Sequence, residues 1–208
     1  FGNEFFDSLP IKQIYKKKNS FYEKHVFLSD KGKLNFLHKK ISKKLIKYVK
    51  ILKLTSSNNS IEYPIKAIDY LTTIAKKIKK FNGSLLTFDY GYILNSRQET
   101  LQSVKKHRFT NMFSKPGSAD ITSHVNFALF KKILEKNNLD VQKIKTQSEF
   151  LQKMGIVERA HILSRNMTFK SKANMYFRLK KLLNSREMGS LFKVLFAQKK
   201  GKKFSLGF

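Results

Sequence analysis

The sequence contains no cysteine, no tryptophan and only three prolines. The absence of cysteine excludes disulfide bridges, thiolate metal sites and a cysteine nucleophile, and it agrees with a reducing compartment. No apolar run approaches the roughly 18 residues that a membrane-spanning helix needs, and the first residues lack the charged, apolar and small-residue order of a signal peptide. We therefore expect a soluble, intracellular protein without a transmembrane segment.

Acidic residues are also scarce. The chain has 14 Asp and Glu against 43 Lys and Arg, which gives a formal net charge of +29. Such a charge favours a nucleic acid or an anionic membrane as a partner. Nearly all of it is lysine, however, whereas proteins that read base edges favour arginine, and most Phe and Tyr fall at spacings typical of a core. The composition therefore favours a solvated basic surface and predicts no specific nucleic-acid site.

The chain is long enough for one substantial core, with 208 residues and a hydrophobic fraction of 41%. Its nine glycines all stand singly, so no glycine-rich loop is visible. The first residue is Phe1, and the first ten residues have the pattern of a strand end that enters a loop. We expect the chain to begin within a domain.

Three β-rich runs follow this first segment and predict an antiparallel meander. They span residues 11–15, 21–28 and 33–37. The next segment, 39–60, is lysine-rich and amphipathic. It is interpreted as a variable insertion, with a helix on a membrane surface as the alternative.

The remaining sequence alternates helical and strand patterns, as in an α/β fold. Apolar residues recur at helical spacing from Ile65 to Ile78, and the apolar run 85–88 is typical of a buried strand. Asp89-Tyr90-Gly91 follow this strand, at the position where open α/β sheets bind ligands. The later elements predicted are a helix capped by Asn126, a strand within 139–144, a capping box at 146–149, a helix over 173–183 and a strand over 191–197. Asp120-Ile121-Thr122 is interpreted as a capped loop.

A series of short sequences, in order along the chain, carries a family resemblance. They are Asn3-Glu4-Phe5-Phe6-Asp7-Ser8-Leu9-Pro10, Asp89-Tyr90-Gly91, Thr100-Leu101-Gln102 with His107, Pro116-Gly117-Ser118-Ala119-Asp120-Ile121-Thr122, Val125-Asn126-Phe127, Thr146-Gln147 with Phe150-Leu151, Gly155-Ile156 with Arg159, and Met188-Gly189-Ser190-Leu191-Phe192-Lys193-Val194. From Asn3 to its end, the chain resembles the MidA family of class I S-adenosylmethionine-dependent methyltransferases. The resemblance is weakest over residues 16–60.

This resemblance implies an α/β fold of the class I methyltransferase (Rossmann-like) type. The expected architecture is a mostly parallel sheet flanked by helices, incomplete at its N-terminus, with an added antiparallel β meander and a helical insertion. Residues 1–208 would form the second half of one methyltransferase domain, with the meander and variable insertion at 11–60 and the rest at 61–208. The family's glycine-rich cofactor loop has no counterpart here, so we expect this chain alone to be inactive. Asn126 departs from the acidic residue that is usual in the family.

The resemblance also implies an activity. The cofactor would be S-adenosylmethionine, and the substrate would be a protein arginine, on a subunit of the respiratory NADH dehydrogenase (complex I). The location would be the bacterial cytoplasm, or the mitochondrial matrix in a eukaryote. Two alternatives remain open: a non-catalytic assembly chaperone of the same fold, and a basic nucleic-acid-binding module.

Methyl transfer from a sulfonium needs little acid–base help, so the protein mainly positions the acceptor and excludes water. A carboxylate can orient a guanidinium acceptor through two hydrogen bonds. By resemblance, Asn3, Glu4 and Phe5 would line the methyl end of the cofactor. Glu4 would also hold the acceptor, with Asp7 as the second choice. The structural alternatives are a salt bridge for Glu4 and a turn cap for Asp7.

Two further residues are candidates for the acceptor side. Asp89 would line the acceptor channel, or it would satisfy amides at a strand end. His107 would accept a proton, or it would be a packed structural residue. The spacing of histidines and carboxylates predicts no metal site.

Overall fold

The structure, a computed structural model, describes residues 1–51, 60–93, 99–106, 108–202, 204 and 206–208. These residues form two compact units, each assembled from separate stretches of the chain. The first unit comprises Phe1–Phe5, Leu71–Ile93 and the described part of Val125–Phe208. The second comprises the described parts of Phe6–Tyr70 and Leu94–His124.

The described residues form both strands and helices, as expected for an α/β fold. The strands are β1 (Gly2–Asn3), β2 (Lys12–Lys17), β3 (Ser20–Leu28), β4 (Leu34–Lys40), β5 (Ser60–Tyr63), β6 (Ser84–Tyr92), β7 (Gln102–Lys105), β8 (Arg108–Phe109), β9 (Asp120–Thr122), β10 (Val125–Asn126), β11 (Leu139–Val141), β12 (Lys145–Thr146) and β13 (Phe192–Lys199). The helices are α1 (Lys43–Ile51), α2 (Ile65–Phe81), α3 (Phe127–Lys136), α4 (Gln147–Lys153), α5 (Ile156–Ser164), α6 (Phe169–Leu183) and α7 (Met188–Leu191).

The first unit is built on a sheet with the strand order β1-β6-β13-β11. Strand β6 pairs in parallel with β1 and β10, and it pairs antiparallel with β13. Strands β11 and β12 also run antiparallel to β13. The predicted α/β fold is therefore confirmed. In the part of the sheet that these residues form, β13 runs antiparallel to every strand with which it pairs.

Strand β6 extends beyond the predicted run 85–88 and ends at Tyr92. The continuation is possible because Gly91 lies against Val125 and Phe127: a Cβ atom at Gly91 would come within 2.3 Å of the Val125 carbonyl oxygen and 2.7 Å of the Phe127 ring. One face of the sheet carries a cluster of Phe88, Phe150 and Val194. The core of the first unit thus forms directly on β6 and β13.

Local sequence signals set the helix ends of the first unit as predicted. The Asn126 side chain caps α3 by accepting a hydrogen bond from Leu129 N at 3.0 Å. Thr146 and Glu149 form the predicted capping box of α4, and Gly155 follows that helix with a left-handed φ of 77°. Hydrogen bonds from the backbone and side chain of Thr146 lower the pKa of the Glu149 carboxyl despite partial burial. Helix α5 was not predicted.

The second unit contains the predicted meander. Its four-stranded antiparallel sheet has the order β4-β3-β2-β5, and its buried cluster also takes in α1 through Val49. Helix α1 therefore packs its apolar side on this core, which the membrane-surface interpretation of 39–60 did not foresee. Residues 52–59 of that segment lie outside the described residues.

A smaller sheet of the second unit corrects one interpretation. Asp120–Thr122 is strand β9 and not a capped loop, because it pairs antiparallel with β7 from Gln102↔Thr122 to Val104↔Asp120. The chain leading into β7 is held by Glu62 of β5. The Glu62 carboxylate accepts hydrogen bonds from Thr100 N at 2.9 Å, Thr100 Oγ1 at 2.5 Å and Leu101 N at 3.1 Å. Across the described residues, no helix is both long and apolar enough to cross a membrane.

The contact at Gly91 gives a stability prediction. We expect Gly91→Ala to lower the free energy of unfolding by about 2–4 kcal/mol, because the new methyl group must displace backbone and a buried ring. Gly83→Ala, before the other end of β6, is the matched control, since the nearest atom to its Cβ position is 4.0 Å away. Urea unfolding followed by circular dichroism measures both. Equal effects of the two substitutions would contradict the proposed packing of Gly91.

Candidate functional site

The candidate site lies where the first strand of the chain ends beside β6. Gly2 and Asn3 pair in parallel with Thr87 and Phe88. The ladder continues for one more hydrogen bond, from Glu4 N to the Phe88 carbonyl oxygen at 3.0 Å. This pairing places the residues after β1 at the carboxyl end of the strand, which is where open α/β sheets generally bind ligands.

Asn3, Glu4 and Phe5 are all exposed at this edge. Glu4 has a φ of 48°, in the left-handed region that costs a residue with a side chain about 1 kcal/mol. The Asn3 amide donates to the Glu4 carboxylate at 3.3 Å. An amide, a carboxylate and a half-exposed aromatic ring therefore meet at one strand end, and the carboxylate is held on a strained backbone.

A buried hydroxyl lies beneath this edge. Thr87 is fully buried, and its Oγ1 atom is the one buried side-chain oxygen or nitrogen of the described residues that has no hydrogen-bond partner. A Cβ atom at Gly2 would come within 3.2 Å of it. The close approach of β1 to β6 therefore favours glycine at position 2. Sequence reasoning missed Thr87, whose only signal was a polar residue inside the apolar run 85–88.

Asp89 lies inside β6, where the sequence analysis expected it to follow the strand. It is fully buried, and its carboxylate accepts a hydrogen bond from Tyr90 N at 3.1 Å. Side chains alternate along a strand, so Asp89 points to the opposite face from Phe88, the register partner of Asn3. The hydrogen bond from Tyr90 N is of the kind expected if Asp89 serves a structural role by satisfying backbone amides.

The strand next to Asp89 carries another functional group. Lys193 lies directly opposite Asp89 in the register of β6 and β13. Burial lowers the pKa of the Lys193 ammonium, and that ammonium donates a hydrogen bond to the Ser190 carbonyl oxygen. Beside it, the rings of Tyr90 and Phe192 lie 4.1 Å apart between centroids. Lys193 belongs to one of the short sequences that carry the resemblance, but its position opposite Asp89 could not be read from the sequence.

The other two predicted residues do not belong to the described part of the first unit. Asp7 belongs to the second unit and is 5% exposed. Its carbonyl oxygen accepts from Ser123 N at 2.9 Å, and it lines a cavity of about 230 Å³ with Ser8 and Thr122. His107 lies outside the described residues. The structure thus brings Asn3, Glu4 and Phe5 together beside β6, and it places Asp7 in a different unit.

The chemistry of the edge fits one end of a sulfonium cofactor. S-adenosylmethionine carries positive charge on its sulfur and its amino group, and the exposed Glu4 carboxylate and Asn3 amide offer oxygen atoms to such a cation. Phe5 offers an apolar contact to a methyl group. Among the described residues there is no cluster of His, Asp and Glu that could hold a metal ion.

A protein-family profile matches most of the chain. The family is described as "Putative S-adenosyl-L-methionine-dependent methyltransferase", and the match spans residues 1–145, which include the whole candidate edge.

Similar proteins have names that refer to methyl transfer. The chain is 26% identical over 193 residues to "Protein arginine methyltransferase NDUFAF7, mitochondrial" of Danio rerio. This alignment covers 92% of this chain and 45% of the Danio rerio protein. It is 31% identical over 162 residues to the homolog of that protein from Caenorhabditis elegans. This alignment covers 76% of this chain and 37% of the Caenorhabditis elegans protein. The chain therefore spans less than half the length of these relatives.

Two solved structures from Burkholderia thailandensis share the fold. One is an uncharacterized protein, with a TM-score of 0.83 and 24% identity over 99% of this chain and 56% of that chain. The other belongs to the same superfamily and is bound to S-adenosyl-homocysteine, with a TM-score of 0.81 and 23% identity over 99% of this chain and 54% of that chain. These two structures show the fold, and the family match over residues 1–145 shows that the chain belongs to the family described as "Putative S-adenosyl-L-methionine-dependent methyltransferase".

Proposed function

We propose that this chain provides the acceptor side of an S-adenosylmethionine-dependent protein arginine methyltransferase. The observation that carries the proposal is the exposed carboxylate of Glu4, held in the left-handed region at the carboxyl end of β1 beside Asn3. Strained residues outside glycine persist where the surrounding structure fixes them, and they cluster at functional sites.

Each residue of the edge has a role in this proposal. The cofactor supplies an electrophilic methyl group. Asn3 and Phe5 contact the end of the cofactor that carries it, and Glu4 binds the guanidinium of the acceptor through charge-assisted hydrogen bonds. A guanidinium stays protonated at neutral pH, so a carboxylate that favours charge on one nitrogen leaves another nitrogen available for attack. Asp7 stands as the second choice for the carboxylate role.

The names of the relatives support arginine as the acceptor. The Danio rerio and Caenorhabditis elegans proteins are named protein arginine methyltransferases. A subunit of the respiratory NADH dehydrogenase is the specific substrate that we propose. The mitochondrial names of the relatives support the mitochondrial matrix as its location in a eukaryote, and the bacterial cytoplasm is the corresponding proposal for a bacterium.

The cofactor site is proposed to be shared with sequence outside these 208 residues. Support comes from the isolated glycines of this chain and from the 45% of the Danio rerio protein that it covers. Backbone amides of a glycine-rich loop would supply much of the cofactor affinity.

The first prediction concerns cofactor binding by this chain. We expect the 208-residue chain to bind S-adenosylmethionine weakly, with a Kd above about 1 mM, because it presents only the methyl end of the site. Isothermal titration calorimetry measures the affinity, and the Burkholderia thailandensis protein that is bound to S-adenosyl-homocysteine serves as the positive control. A low micromolar Kd for this chain would show that the cofactor pocket lies elsewhere.

The second prediction concerns turnover in a longer protein that joins this chain to its cofactor loop. Glu4→Gln should lower kcat by about 100-fold and leave the cofactor Kd nearly unchanged, because it keeps the shape of the side chain and removes its charge. Glu135→Gln, an exposed carboxylate on α3, is the matched control. Methylation of an arginine peptide and separate cofactor titrations provide the two readouts. Unchanged kcat in Glu4→Gln would assign Glu4 to structure, whereas no methylation by the unaltered longer protein would favour a non-catalytic chaperone.

The third prediction separates strain from function. Glu4→Gly should keep the free energy of unfolding or raise it by up to about 1 kcal/mol, because glycine adopts a left-handed φ without a steric penalty, while kcat falls as in Glu4→Gln. Lys115 is also left-handed and exposed, with a φ of 56°, so Lys115→Gly should change stability similarly without any loss of kcat. A marked loss of stability in Glu4→Gly alone would mean that the Glu4 side chain is a structural contact.

A further inference from the structure

One face of the four-stranded sheet in the second unit interleaves aromatic and basic side chains. Tyr15 of β2 lies directly opposite Tyr22 of β3, and Lys17 lies opposite Ser20 on the same face. Tyr22 in turn lies opposite Lys40 of β4. The other face of the sheet carries the buried core, so we call the Tyr15 and Tyr22 side the outer face.

The outer face bears a cleft of about 620 Å³. Its lining combines aromatic rings, a hydroxyl and three consecutive lysines, of which Lys16 alternates toward the core face of β2. The lining residues are Tyr15, Lys16, Lys17, Lys18, Ser20, Tyr22 and His38. This volume lies in the range of sites that hold small ligands, and no function described above uses it.

The lysines of the cleft are available to an anion. Within the part of the chain that the structure describes, no ion pair involves Lys16, Lys17 or Lys18, and all three are exposed. Between Lys12 and Lys40 the sequence has nine lysines and two acidic residues, so the local charge strongly favours anions.

Two carboxylates near this sheet, those of Glu23 and Glu99, are already engaged. Glu23 pairs with Lys12 at 2.6 Å. Glu99 accepts a hydrogen bond from the Tyr15 hydroxyl, and it lies 3.3 Å from Lys24 Nζ. Burial and the hydrogen bond to Glu99 raise the pKa of the Tyr15 phenol, so Tyr15 stays uncharged at neutral pH. The outer face therefore keeps its positive charge next to neutral aromatic rings.

Two of the aromatic groups that line the cleft contact each other. The Tyr15 and His38 rings meet edge to face with centroids 5.2 Å apart. Lys24 lies 5.6 Å from the Tyr15 ring centroid and 4.3 Å from that of Phe36. Tyr22 is half-buried and lies on the strand between β2 and β4. Stacking on such rings tolerates every base, because every base has a π face.

We propose that the outer-face cleft binds a nucleotide, with the phosphate held by Lys17 and Lys18 and the base stacked on Tyr22 and His38. The ligand class follows from the combination of parts: lysines alone would fit any polyanion, whereas lysines beside aromatic rings fit a phosphate joined to a flat aromatic base. The nucleotide is either free or part of a single-stranded nucleic acid. This inference goes beyond the methyltransferase proposal and rests on none of its residues.

The test uses the whole 208-residue chain and two probes. Adenosine diphosphate is titrated by calorimetry, and a fluorescein-labelled oligoadenylate of about 12 nucleotides, near the upper site sizes of single-strand binders, is titrated by fluorescence anisotropy at several salt concentrations. The variants are Tyr22→Leu, Tyr22→Phe and the pair Lys17→Gln with Lys18→Gln. The matched control is the pair Lys76→Gln with Lys77→Gln, which removes the same charge from the exposed side of α2.

The expected changes separate stacking from general attraction. Tyr22→Leu should weaken binding about tenfold, whereas Tyr22→Phe should bind as the unaltered chain does because the ring remains. The Lys17 and Lys18 pair should reduce the slope of log Kd against log salt for the oligonucleotide by roughly 1.4, whereas the Lys76 and Lys77 pair should leave it nearly unchanged. Thermal unfolding checks that each variant is folded. If Tyr22→Leu does not fold, Tyr22→Phe still tests whether the ring without its hydroxyl is enough for binding.

Binding of adenosine diphosphate at micromolar concentration, with competition against the oligonucleotide, would identify a free nucleotide as the ligand. Binding of the oligonucleotide alone would identify single-stranded nucleic acid. The proposal is overturned if neither probe binds, if Tyr22→Leu binds as the unaltered chain does, or if the α2 control pair loses as much affinity as the cleft pair.

Discussion

Strand β6 is hydrogen-bonded along both edges and buried over most of its length, so the first unit depends on its pairing. Its buried peptide groups must find partners because water cannot reach them, and β1, β10 and β13 supply those partners. The cost of an unpaired buried peptide group also explains why β1, only two residues long, is fixed in register. The exposed Asn3 and Glu4 take their positions from that register.

Local chemistry made several elements predictable. Asn126, Thr146 with Glu149, and Gly155 each satisfy backbone groups within a few residues of themselves, so their signals can be read from short sequences. The α2 helix and the meander were also predicted, because the apolar spacing of a helix and the turn residues between strands are local properties. Hydrogen bonds between residues far apart in the sequence could not be predicted in this way.

The elements and contacts that the sequence did not predict depend on distant partners. Strand β9 is defined by β7, about twenty residues earlier, and the Tyr15 contact with Glu99 spans 84 residues. The aromatic residues of the outer face could not be grouped from the sequence. Tyr15 and Tyr22 lie on different strands, and only the pairing of β2 with β3 puts them opposite each other. At the candidate edge, the residue types followed from the family resemblance. The left-handed backbone of Glu4 and the buried Thr87 hydroxyl became visible only in three dimensions.

The two units are interleaved along the chain, and this has a consequence for synthesis on the ribosome. Glu62 emerges before residues 71–93, which belong to the first unit, and it meets Thr100 and Leu101 only after them. The second unit cannot close until residue 124 has emerged, and the first unit cannot complete its sheet until β13 is made. The second unit can therefore close only after residues 71–93 of the first unit have been made, and the first unit is completed last. Contacts of this sequence separation form slowly, so the partly made protein exposes its lysine-rich strands longer than a chain of two consecutive domains would.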